Sequence, residues 1–211
     1  MRGPTSGAGI MGMAEEGDLS ITHLPPDFIR LMYAGMECGR AISCFKEVER
    51  LLAIRIERDG AEIREWLSVF NAIRLALHFT ANVSKLFWPQ DKPSAQVKNR
   101  CDRLRKLVGL SVDHPLSNRR LRNHFEHFDE RLDKWVGDSP RPFAGIEVIL
   151  EDDLPDVTRR ALHRSVPVLY DEIDQSILML GEKFLLPELL SAVKDVLSHI
   201  SLSKIFDSTT S

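Results

Sequence analysis

SNRRLRNHFEHFDERLDKWV, residues 117–136, is the stretch around which the rest of the chain is organised. At ~100° per residue, a helix places Leu121, Phe125, Phe128, Leu132 and Trp135, which recur at steps of four and three, on one apolar stripe. Such a stripe is expected to face a core. The opposite side carries Asn123 and His127 one turn apart, with Arg122 and Glu126 beside them at the same spacing. The pattern predicts a helix with one face for the interior of its own domain and another equipped for a second copy of itself.

The neighbouring segments read as further helices. Upstream, a helix is expected from about Ser94 to Val108, where Val97, Cys101, Leu104 and Val108 form the apolar side and Gly109 closes the run. Asp113, His114 and Pro115 form the loop that leads into residues 117–136. A long first helix opens at Pro25 and Pro26 and runs to about Arg58, with Asp59-Gly60 as its stop. A second begins at Ala61 and ends at Trp88-Pro89.

Downstream, residues 138–145 read as a loop, and the acids between Glu147 and Asp156 as a solvated one. Val166–Tyr170 and Ser176–Leu180 are β-prone and predict a hairpin, with Pro167 confining the first run to an edge or a strand start. A last helix is expected from Pro187 to about Ser201. The fold class is therefore mainly α: an antiparallel four- to five-helix bundle with a small β-hairpin insertion before the C-terminal helix. Residues 1–23 are expected to be disordered and 24–203 to form one helical domain with its β region at about 145–181. Residues 204–211 are expected to be a frayed tail.

A chain of 211 residues with 43% hydrophobic and 28% charged residues can bury a substantial core. Its net charge of -3 argues against indiscriminate nucleic-acid binding, and no DNA partner is expected. Cys38, Cys44 and Cys101 are odd in number and lack CxxC spacing, which suits buried thiols in a reducing cytoplasm. No run approaches the ~20 apolar residues of a membrane span, and the N-terminus lacks the apolar stretch of a secretion signal.

Arg122-Asn123-His124-Phe125-Glu126-His127 resembles the R-x4-6-H motif of the HEPN superfamily, in which the residue after Arg is often Asn, Asp or His. Arg119 with His124 and Arg120 with His127 fit the same spacing. Arg122 with His127 is preferred because Asn follows the Arg and the pair flanks the face opposite the apolar stripe. The resemblance covers roughly Pro25 to Val136. It implies an all-helical bundle, a homodimer formed through helix 117–136, and metal-independent endoribonuclease activity of the kind found in toxins and defence effectors, some of which have an antitoxin partner. Other members have lost the motif and act as nucleotide-binding or protein-interaction modules. Asp129 stands where some toxin members carry a Tyr as a modification target.

In this chemistry His127 acts as base and acid on the ribose 2′-OH and the 5′ leaving oxygen, since imidazole titrates near neutral pH. Arg122 meets the charge of the phosphorane-like transition state with paired N–H donors. Asn123 orients the imidazole and Glu126 orients Arg122. Five residues apart on one helix, the two side chains diverge by about 140°, so a composite site needs two helices about a twofold axis. Arg103, Lys106, Arg119 and Arg120 belong to a local basic stretch suited to RNA phosphates. His124 and His127 at i, i+3, with Asp129, lack third and fourth ligands at familiar spacing, so no metal and no cofactor are expected. Two rivals to the nuclease stand beside it: a catalytically silent module that binds a nucleotide or a protein, and a purely structural helical protein.

Overall fold

The computed structural model describes residues 24–54, 56–58, 61–63, 65–138, 145, 147–150 and 154–200. Among these the protein is mainly helical, with a small four-stranded sheet and a short separate hairpin. Helix α1 (Pro26–Ala53) opens on Pro25 and Pro26, where the missing N–H costs no intrahelical bond. Leu31, Ala34, Cys38, Ala41, Phe45 and Val48 recur at helical spacing on its buried side. They pack mainly against α2 (Trp66–Phe87), which buries Phe70, Ile73, Leu77, Ala81 and Phe87. Glu37 is buried in this seam, and its carboxylate accepts from Arg40 and Asn82, both at 2.8 Å.

Helix α3 (Ala95–Val108) matches its expected bounds because both ends are set locally. Ser94 accepts from the Val97 N–H at 3.3 Å, and Gly109 takes the left-handed conformation (φ +73°) that turns the chain out of the helix. A single 3-10 turn (Pro115–Ser117) then leads into α4 (Arg120–Glu126) and α5 (Phe128–Gly137). Here the expectation of one helix across residues 117–136 is corrected. His127 sits at φ -124°, ψ 36°, outside helical geometry, and divides the run in two. Leu121 keeps its place in the core and Phe125 packs against it, whereas Phe128 and Leu132 are exposed.

A second correction concerns the junction of the first two helices. Strands β1 (Ile56–Arg58) and β2 (Ala61–Ile63) pair antiparallel with Arg58 opposite Ala61, so α1 stops at Ala53 and α2 starts only at Trp66. An Asp-Gly pair suits a two-residue hairpin loop at least as well as a helix stop, and here the hairpin prevails.

The C-terminal third holds β3 (Glu147–Leu150), α6 (Asp156–Ser165), β4 (Val168–Asp171), β5 (Ser176–Met179), β6 (Glu182–Leu185) and α7 (Leu186–His199). The expected hairpin is present as β4–β5, with Leu169 opposite Leu178 and Tyr170 opposite Ile177. The sheet is larger than that hairpin. Its order is β3-β4-β5-β6, with β3 parallel to β4 and the other pairs antiparallel.

Glu147–Leu150 is therefore a strand rather than part of a solvated loop, and α6, which the sequence reading did not anticipate, makes the crossover that a parallel pair requires. Alternation divides the sheet between two apolar clusters. Val168, Tyr170, Ile177, Met179 and Phe184 join the helical core, while Leu150, Val166, Leu169 and Leu178 pack with Leu162 of α6 on the other side.

The expectations for residues 1–23, for all but the ends of 138–145, and for 204–211 lie outside the described residues. Among the described residues, no helix is long and apolar enough to cross a membrane.

Candidate functional site

Helix α4 is seated by Leu121, which enters the core beside Leu116, and it packs against α2. This places Arg122 over the end of α2. The residue is 2% exposed, with Nη1 donating to the Trp88 carbonyl at 2.9 Å and Nη2 to the Pro89 carbonyl at 3.4 Å. Carbonyls at a helix C-terminus lack intrahelical partners and carry the negative end of the macrodipole, so a guanidinium suits both needs. Burial pushes the Arg122 pKa below its ordinary value, with the Glu126 charge acting in the opposite direction. Its Nε is buried without a hydrogen-bond partner among the described residues.

The remaining motif residues do not gather round Arg122. Glu126 forms its ion pair with Lys85 at 3.2 Å rather than with Arg122. Asn123 meets His127 through the main chain, its carbonyl accepting from the His127 N–H at 3.1 Å. The imidazole of His127 is 53% exposed, with Nδ1 3.4 Å from a Glu130 carboxylate oxygen. Within one chain, then, Arg122 faces the end of α2 and His127 faces solvent at the helix break.

The basic residues also separate. Arg103 donates to Asp27 at 2.8 and 3.2 Å and holds that carboxyl below the usual carboxylate range, while Arg119 pairs with Asp91. Arg120 and Lys106 are exposed.

His124, which also fits the motif spacing with Arg119, is the most enclosed titratable group of the segment. Phe125, Phe128 and Phe184 stand edge-on to its ring, with centroids at 6.0, 6.0 and 5.6 Å. Its Nδ1 lies 3.6 Å from Glu182, whose other oxygen pairs with Arg131 of α5. Burial pushes the imidazole below its ordinary value; the Glu182 charge opposes this and the Arg131 charge adds to it. The ring thus lies where α4, α5 and β6 meet. The only local signal was its place beside the apolar stripe, because its partner Glu182 lies on a strand distant in sequence.

His114 is also buried and missed. Its Nδ1 accepts from the Leu116 N–H at 3.1 Å, which leaves the proton on Nε2 for Asp195 at 3.2 Å, and Trp88 stacks on the ring with centroids 5.0 Å apart.

Helix α5 differs from every longer helix in having no buried residue. Phe128, Leu132 and Val136 are 42%, 37% and 64% exposed and fall on one side at steps of four. Among the described residues, no group of three or more His, Cys, Asp or Glu is placed to hold a metal ion. The chain matches no family model, no curated protein and no solved structure.

Proposed function

We propose that the chain is a HEPN-like interaction module that self-associates through α5 and acts by binding rather than by cutting RNA. The observation that carries this reading is the unburied apolar stripe Phe128–Leu132–Val136, on a helix whose polar residues alone would keep it in water. A second copy about a twofold axis covers such a stripe with itself. The binding reading also fits Arg122, whose guanidinium is engaged by the Trp88 and Pro89 carbonyls. In this reading the helices form an antiparallel bundle. The protein resides in the cytoplasm, in keeping with Cys38, Cys44 and Cys101 as free thiols.

One observation favours a second reading, a metal-independent ribonuclease acting on RNA and held by an antitoxin. His127 is exposed at the break that begins the α5 stripe, so two copies meeting at the N-terminal ends of their α5 helices would bring two imidazoles to one cleft. Arg122 must then leave its carbonyls to reach a phosphate.

Light scattering of wild type and Leu132→Glu tests the first reading. It expects a dimer that becomes a monomer with unchanged far-UV circular dichroism, and a monomeric wild type overturns it. Incubation with mixed RNA and chelator separates the two. Equal inertness of wild type and His127→Ala supports the binding module, and 2′,3′-cyclic phosphate ends produced by wild type alone establish the nuclease instead.

A further inference from the structure

Between α2, α4, β6 and the start of α7 lies a cleft of about 650 Å³, a size that encloses a small organic ligand. Leu116, Leu121, Phe184 and Leu189, from four different elements, supply its apolar walls. Charge balances around it. Lys183 is paired with one oxygen of Asp174, whose other oxygen is buried without a hydrogen-bond partner among the described residues. Arg120 and Glu188 add one charge of each sign at the exposed edge. With two cations and two carboxylates in its lining, the cleft selects neither sign, and a charged ligand would lose hydration here without gaining a net opposite charge.

The buried polar side chains of the lining are two hydroxyls one turn apart on α2, Thr80 and Ser84, 0% and 4% exposed. Both have already given their protons: Thr80 Oγ1 donates to the Ala76 carbonyl and Ser84 Oγ to the Leu116 carbonyl, each at 2.7 Å. What remains on each oxygen is accepting capacity. Ser84, the less enclosed of the two, therefore offers the apolar interior an acceptor and no donor.

We propose that this cleft binds a small uncharged molecule, an apolar body carrying one hydroxyl or N–H, with Ser84 Oγ accepting that hydrogen bond and Leu121, Phe184 and Leu189 enclosing the body. The apolar part supplies most of the affinity. The single donor supplies the choice of ligand, because it meets an acceptor that nothing else in the cleft satisfies.

Fluorescence titration of the full chain with the neutral probe N-phenyl-1-naphthylamine, and with 8-anilinonaphthalene-1-sulfonate as the same body bearing a charge, tests this. The neutral probe is expected to saturate at one site per chain and to bind more tightly than the sulfonate. In competition, 2-naphthol should displace it at about five-fold lower concentration than 2-methoxynaphthalene, which lacks the donor; that factor is the scale of one neutral hydrogen bond. Ser84→Ala should remove the difference, and the wild-type comparison stands whether or not that variant folds. Leu189→Trp, which fills the cleft from a half-buried position, should abolish probe binding at unchanged circular dichroism. The proposal is overturned if the neutral probe fails to saturate, if the sulfonate binds as tightly, or if the two naphthalenes displace it equally. A difference that persists in Ser84→Ala, or probe binding that survives Leu189→Trp, as it would on the exposed α5 stripe, overturns it as well.

Discussion

Arg122 Nη1 donates to the main-chain oxygen of Trp88 at 2.9 Å, so the arginine of the motif closes the end of α2 from within the protein. A side chain with this duty is bound to matter for folding whatever else it does.

Replacing Arg122 with Met keeps the stem and leaves the Trp88 and Pro89 carbonyls without their charged donor. The expected loss is about 2–4 kcal/mol of unfolding free energy, the scale of charged hydrogen bonds lost at a buried site. Arg122→Lys should recover part of this, because an ammonium is a single point rather than a fork. Urea titration followed by circular dichroism measures both. A variant as stable as wild type would show that the guanidinium does not hold the end of α2.

The two buried imidazoles predict a direction of pH dependence. Burial holds His124 and His114 below their ordinary values in the folded chain, so the unfolded chain takes up their protons first as pH falls. Their contribution to stability is complete above about pH 7 and declines as pH drops below about 6.5, by at most about 1.4 kcal/mol per pH unit for each ring. Calorimetric Tm should fall between pH 7.5 and 5.5. His124→Gln should flatten that fall in part, and adding His114→Gln should flatten it further. An unchanged slope in the double variant would assign the dependence to other groups.

The thiols should differ in reactivity. Burial, with the Glu37 charge adding to it, pushes Cys38 up to about 12, and Cys44 is raised by its own lesser burial. Iodoacetamide at pH 8 reacts with thiolate. It should therefore modify Cys44 first and reach the buried Cys38 and Cys101 only in denaturant, as peptide mass mapping would show. Rapid native labelling of Cys38 would mean that the α1–α2 seam opens readily.

Much of the fold could be read where its cause was local. The bounds of α3 follow from Ser94 and Gly109, which supply a cap and a left-handed exit without reference to the rest of the chain. The β4–β5 pair follows from two β-prone runs and the turn between them. The β1–β2 pairing was equally local, but an Asp-Gly pair in sequence suits a helix stop and a hairpin loop alike, and apolar spacing over a few residues could not choose between them.

The candidate site was less legible. The break at His127 is marked by no Pro or Gly, and the two halves of the run are held by different partners, α4 by α2 and α5 through the Arg131–Glu182 pair. Periodicity identified the stripe, but whether Phe128 and Leu132 were covered depended on elements elsewhere in the chain.

By itself, then, the sequence determined the chain's helical character, the ends of α3 and the paired strands after Val166. Only the tertiary structure decided that Arg122 turns inward to two carbonyls, that His124 is enclosed with Glu182, and that the α5 stripe faces outward. The reason is physical. Caps and turns are satisfied within a few residues, whereas the place of a charged side chain depends on which distant carbonyl or carboxylate the packed core brings within reach.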